Sequence, residues 1–287
     1  MLAPTLALAS AVVYGVVDFA GGMLSRRVHY ASVSWVGQLG GLALALAAAL
    51  AVPAPQVRAV DLAWGALSGV GSGLAMLFLN RALSRGEMTA VVPVSAVTGV
   101  ALSVLCGVAF LGEQPSPAAW AGIAVVLPAL WLVAGGGQAT GPGLAAAGPA
   151  SGSAAARDGL LASAGVAVQY VGLAMAGSSS GLWAVAAGRV AAVVVLVPVV
   201  ARARGRARVA PHDVAKAFVI GAGAALALTL YLLATREQLL AVAVTLASLY
   251  PALPVLLGVL VLHEHVGPRR AVGLVAAGAA VVLLSVA

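Results

Sequence analysis

Charge is scarce in this chain. Asp, Glu, Lys and Arg make up 8% of its 287 residues, about a third of the roughly 25% usual in soluble domains. Hydrophobic residues make up 62% and the mean hydropathy is +1.10. A water-soluble fold is therefore excluded, and so is intrinsic disorder, which needs low hydrophobicity and high charge. Cysteine is nearly absent: Cys106 stands alone, so neither an intramolecular disulfide nor a Cys/His metal site is available. Aromatic residues, at 5%, are too few for base-stacking platforms. No Walker A loop occurs, which removes ATP as a direct energy source. The net charge of +7 would suggest nucleic acid in a soluble protein. Here the cations sit in short gaps between apolar runs, so membrane topology explains them better.

What the chain has in abundance is apolar runs of the length that crosses a bilayer, about 20 residues. Ten such runs fall at 2–24, 31–52, 62–83, 89–111, 118–134, 159–176, 181–200, 217–234, 239–262 and 271–286. The first follows Met1-Leu2-Ala3-Pro4, which lacks a basic n-region, and reads as a mature span. Ser116-Pro117 before the fifth is an N-cap followed by proline at the first helical position. The segment 135–158 is rich in Gly, Ala, Ser and Pro and reads as a flexible connector. A barrel would need alternating apolar and polar residues over about ten positions, whereas these runs are apolar on all sides. The expectation is an all-α membrane protein: spans 1–5 in residues 1–134, a linker at 135–158, and spans 6–10 in residues 159–287.

Shifted by 151 residues the chain matches itself without gaps. Ala90-Val91 meets Ala241-Val242, Gly107-Val108 meets Gly258-Val259, Leu111-x-Glu113 meets Leu262-x-Glu264, and Gly37 meets Gly188. Between Ala90 and Glu113, 11 of 24 positions are identical, against roughly one in ten by chance in so biased a chain. Each copy holds five spans. An odd number makes the second copy enter from the opposite side, so the copies are expected to be inverted repeats about an axis in the membrane plane.

Several pieces share an order and spacing: Leu111-Gly112-Glu113 with Trp120 and Gly122, Pro251 thirteen residues before Glu264 with Gly273, Tyr14-Gly15 in the first span, and Arg189 in the second span of the second copy. Over nearly the whole chain this pattern resembles the EamA-type branch of the drug/metabolite transporter superfamily. The sequence departs from it where Val100 stands opposite Pro251 and Gln38 opposite Arg189. The resemblance implies a central substrate cavity lined by spans 1, 3, 4, 6, 8 and 9.

An ionisable group at the bilayer centre costs about 2.5–3.5 kcal/mol on insertion scales, so each one needs a reason. Asp18, in a cavity-lining span, can bind a proton or a cationic group, and is the candidate for proton coupling. Arg189 either pairs within the bundle or serves the cavity. Tyr14, Asn80, Ser95, Thr98, Gln169, Tyr170, Tyr231, Thr245, Ser248 and Tyr250 are the other candidate substrate-binding residues, although any single Ser or Thr can instead bond back to its own helix. A mostly apolar cavity with few directional groups suits small amphipathic solutes. Pro93 and Pro251 interrupt their helices and are candidate hinges. Glu113 and Glu264 close spans as turn residues near a helix dipole or as gate ion pairs. The Gly65-x3-Gly69, Gly69-x3-Gly73 and Gly37-x3-Gly41 spacings read as packing positions.

The gaps after odd-numbered spans hold Arg26, Arg27, Arg81, Arg85, Arg157, Arg202, Arg204, Arg206, Arg208, Lys216, Arg269 and Arg270, against Arg58 and Arg236 on the other side. Positive-inside counting places both termini outside the cytoplasm; the resemblance implies the reverse. The expected function is a secondary transporter of small organic metabolites, amino acids or drugs, most naturally an exporter, in the bacterial inner membrane. Its expected partners are a small-molecule substrate, the bilayer and protons, without nucleic acid, metal or cofactor, as a monomer or weak homodimer. The alternatives are an intramembrane enzyme and a non-transporting scaffold. Paired Asp motifs are missing for the first, and His263-Glu264-His265 lacks the His-Glu-x-x-His spacing.

Overall fold

The computed structural model of the chain describes residues 2–86, 88, 91–95, 98, 102, 116–135, 149–203, 209–237 and 252–286. Among them the regular structure is helical throughout: α1 (Leu2–Ser25), α2 (Tyr30–Ala51), α3 (Ala59–Leu83), α4 (Pro117–Gly135), α5 (Pro149–Met175), α6 (Trp183–Arg202), α7 (Pro211–Glu237), α8 (Ala252–Leu262) and α9 (Pro268–Val286), with a 3-10 turn at Ser178–Ser180. Helix is the form that satisfies every backbone group within one segment, which hydrocarbon demands. Six segments are long and apolar enough to cross: Leu8–Ser25, Tyr30–Ala51, Ala59–Leu83, Ala154–Met175, Trp183–Arg202 and Pro211–Leu230. Leu253–Leu262 and Ala271–Ala280 are shorter apolar helices. The protein is an all-α, multi-pass membrane protein.

Four helices, α4, α5, α7 and α9, open on proline, whose missing N–H would have no intrahelical partner there anyway. The start at Pro117 is the one Ser116-Pro117 announced. The expected connector is corrected at its C-terminal end: α5 begins at Pro149 rather than at Gly159. Alanines 154–156 favour helix strongly, and Asp158 is buried against two arginines, which holds this extra length in place. Of the ninth span, Ala252–Leu262 is described as helix; residues 238–251 lie outside the described set.

Packing inverts the usual size order. The buried set is dominated by Ala, while Val194, Val219 and Leu260 are each more than 60% exposed. Lipid is as apolar as Val or Leu, so helices gain by close backbone approach rather than by hiding large side chains. The most extensive contacts join α3 to α5 and α6, α2 to α7, α1 to α7, and α4 to α9, with α2 also on α6. Contacts among α1, α2 and α3 are sparser.

Glycine makes the crossings possible. Gly65, Gly69 and Gly73 of α3 meet Ala184, Gly188 and Ala192 of α6, small residue on small residue at every fourth position. A Cβ on Gly69 would land on the Gly188 carbonyl. In α2, Gly40 meets the Phe218 carbonyl of α7, and Gly221 of α7 meets the Gly37 carbonyl. The Gly-x3-Gly spacings are packing positions, as expected.

Candidate functional site

Buried polar side chains collect where α2, α3 and α6 meet. Asn80 Nδ2 donates to Ser34 Oγ at 3.0 Å, and Ser34 Oγ donates to the Met76 carbonyl at 3.2 Å. Gln38 Nε2 reaches Met76 Sδ at 3.4 Å. Arg189 Nη1 donates to Gln38 Oε1 at 2.9 Å. Arg189 is 6% exposed and Gln38 fully buried. This chain of bonds ties the first half of the sequence to the second at residues that differ by 151 positions, the repeat interval. Gly41 lies against the Arg189 side chain: an added Cβ would sit 3.4 Å from its Cδ and 3.5 Å from its Cζ.

Helix α1 closes over this network. Tyr14 lies within electrostatic reach of Arg189, and Gly21 faces Asn80 Oδ1 and Ile220. Residues 14, 18 and 21 share one helical face at i, i+4 and i+7, while Val12 and Val16 on the opposite face are about half exposed. Asp18 therefore sits on the inward stripe between Tyr14 and Gly21. It is partly exposed, and among the described residues it has no hydrogen bond or ion pair.

Beside the network a narrow cleft of about 20 Å³ is lined by Ser68, Gly69, Ser72, Gln169, Leu173, Val185, Gly188, Arg189 and Leu228. That is room for about one water molecule. Of the residues named from sequence, Gln169 and Arg189 meet here. Asn80 is instead engaged between α2 and α3. Ser95 is buried, with its carbonyl accepting from Ser163 Oγ at 3.0 Å. Thr98 Oγ1 is buried and has no hydrogen bond among the described residues. Tyr170 is 42% exposed, one residue around the helix from Gln169 and away from the cleft. Pro93 is buried within a helical stretch at 91–95. Thr245, Ser248, Tyr250, Pro251 and Glu113 lie outside the described residues, and Tyr231 is described by its backbone in α7 alone. Among the described residues no three His, Cys, Asp or Glu side chains converge to hold a metal.

Polar clasps lie at both ends of the bundle. At one end Arg26, just past α1, donates to the carbonyls of Leu83 at 3.2 Å and Gly86 at 3.0 Å, and pairs with Glu264 at 3.4 Å. Glu264, 7% exposed at its side chain, also accepts from the Met88 N–H at 3.0 Å. His263 before it holds a left-handed φ of 54°, at the helix-ending position where the first copy carries Gly112. Nearby, Asp158 lies 3.2 Å from Arg81 Nε and 3.5 Å from Arg85 Nη1. The Arg81 Nε–H does not point at the oxygen, so that contact is charge attraction without a hydrogen bond. At the other end Asp61, in the first turn of α3, accepts from the Gly177 N–H at 2.9 Å and from Ser180 Oγ at 2.5 Å. The Gln56 N–H donates to the Ser179 carbonyl at 3.2 Å. Asp61, Asp158, Ser34, Ser68 and Ser180 were not singled out by sequence. The one signal available for Asp61 and Asp158 was acid next to an apolar run.

The family model of the EamA-like transporter family matches residues 1–135, so the resemblance read from the sequence holds over the first half. No curated protein matches the chain. A solved crystal structure, 17% identical, superposes with a TM-score of 0.58 over 97% of this chain and 95% of its own; at that identity the likeness is one of fold.

Proposed function

We propose, on the premise that residues 1–135 form a unit of the EamA-like transporter family, that this chain is a secondary active transporter. In this reading it exports small organic metabolites, amino acids or drugs by alternating access from the bacterial inner membrane.

The observation that carries the reading is the Gln38–Arg189 hydrogen bond between repeat-equivalent positions. Exchanging the two halves maps each into the other, so this contact would lie on the pseudo-two-fold axis of two inverted five-span repeats. The most extensive helix contacts obey the same exchange. The α3–α5 pair becomes α7–α1, α3–α6 becomes α7–α2, and α2–α6 and α4–α9 map onto themselves. The Gly69–Gly188 approach becomes Gly37–Ile220, one residue from the observed Gly37–Gly221 approach. Two interlocked copies around polar groups can exchange which end is closed, and each end carries a clasp that joins residues from both halves: Arg26 with Glu264, and Asp61 with Ser180.

Asp18 lies on the inward stripe of α1 with no hydrogen bond or ion pair among the described residues, which supports a proton-coupling role. The test is solute flux in vesicles reconstituted with the full chain, with and without a pH gradient. Gradient-driven flux that loses its pH dependence in Asp18→Asn is expected. Flux with unchanged pH dependence in Asp18→Asn removes the coupling assignment, and the absence of flux across a broad panel of metabolites and drugs removes the transporter reading.

A further inference from the structure

We infer that Arg189 is the anchor of an anion subsite that takes the carboxylate of a small organic acid, at the cleft between α3, α5 and α6. The inference rests on the transporter reading for its purpose but on separate observations for its chemistry.

Arg189 is nine-tenths buried, and a buried guanidinium is normally matched by an acid. The ion pairs elsewhere in the described structure show what matching looks like. Asp158 has Arg81 and Arg85, and Glu264 has Arg26. Arg189 has a neutral amide, Gln38 Oε1, on one of its N–H groups, and no carboxylate among the described residues pairs with it. Asp18 shares the α1 face with Tyr14 but forms no ion pair with Arg189. A guanidinium carries five N–H donors in a planar fork; Gln38 takes one of them and Tyr14 lies within electrostatic reach, which leaves donors for a carboxylate.

The cleft lies beside the guanidinium. Arg189 lines it together with the polar residues Ser68, Ser72 and Gln169. Gly69 and Gly188 contribute no side chain there, and Leu173, Val185 and Leu228 supply an apolar wall. The space of about 20 Å³ suits the oxygen end of a carboxylate rather than a whole solute. A planar carboxylate accepts two parallel bonds from a guanidinium fork, with Gln169 and Ser72 as further donors, since Ser68 Oγ already donates to the Gln169 carbonyl at 2.8 Å, and with the aliphatic tail against the apolar wall.

The experiment uses the purified full chain in lipid nanodiscs and three probes of like size: propionate, propionamide and propylamine. Thermal unfolding followed by tryptophan fluorescence reads binding. Propionate is expected to raise the midpoint with a half-saturating concentration at least about tenfold below that of propionamide, one unit of log affinity, and propylamine is expected to give no shift. Gln38→Glu places an internal carboxylate where Arg189 already donates. That variant is expected to fold at least as stably as the parent and to lose the propionate response. Gln169→Leu leaves the Arg189–Gln38 bond in place and is expected to keep the fold while weakening propionate several-fold. Equal responses to propionate and propionamide, an undiminished propionate response in both variants, or a response reproduced in full by chloride would each overturn the inference. Propionate binding without flux of any solute would leave the subsite standing and sink the transporter reading. Flux with no propionate binding would do the opposite.

Discussion

Gly69 offers a direct test of how the two halves are held together. A methyl group added there falls on the carbonyl of Gly188, a backbone atom that cannot rotate aside, so α3 and α6 must part or tilt. Overpacking of this kind costs about 1–3 kcal/mol. Replacing glycine by alanine also gains about 0.5–1 kcal/mol of helix preference, and this gain is common to any mid-helix glycine. Gly278 in α9, which has nothing among the described residues within 4 Å of the added carbon, isolates it. Gly278→Ala is therefore expected to stabilise slightly, and Gly69→Ala to lie about 1–3 kcal/mol below it. Gly221→Ala, whose methyl would meet the Gly37 carbonyl, should behave like Gly69→Ala. The assay is unfolding of the purified chain by SDS titration in mixed micelles, read by circular dichroism. If Gly69→Ala and Gly278→Ala share a midpoint, the close α3–α6 crossing is not what joins these helices.

Three further outcomes follow from the clasps and the charge distribution. Asp61→Ala leaves the Gly177 N–H and the Ser180 hydroxyl without their acceptor and should destabilise by about 1–3 kcal/mol in the same titration; a change below about 0.3 kcal/mol would contradict the bonding described. A double-mutant cycle of Arg26→Ala and Glu264→Ala should give a coupling of about 0.5–1 kcal/mol, held down by the solvent exposure of Arg26, and additive losses would show that the pair is not coupled. If the positive-inside count governs topology, a reporter active only in the cytoplasm should be silent when fused after Ala287 and active when inserted beside Arg204; the reverse pattern would place both termini in the cytoplasm.

Much of the architecture was legible because it follows from hydropathy and glycine spacing alone. The run at 31–52 became α2, and Gly65, Gly69 and Gly73 became one packing stripe. The connector ends earlier than its composition suggests because an acid in an Ala/Gly/Ser-rich stretch looks solvated until Arg81 and Arg85, more than seventy positions earlier, are seen beside it. The site was only half legible for the same reason. Arg189 and Gln169 do share a cleft, but the Asn80 side chain is engaged with Ser34 between α3 and α2. Sequence identifies a polar residue in a span; only the neighbouring helix decides whether it faces a solute or another residue.

The contact pattern also bears on how such a chain is made. The helices of residues 2–83 touch α5, α6 and α7 more than they touch one another. When the ribosome has released only the first half, those segments stand in the bilayer with their glycine-lined flanks against acyl chains. Their proper neighbours are still unsynthesised. Assembly must wait for the second half to be threaded in, and the same reliance would let the two halves, translated as separate polypeptides in one cell, find each other and dock.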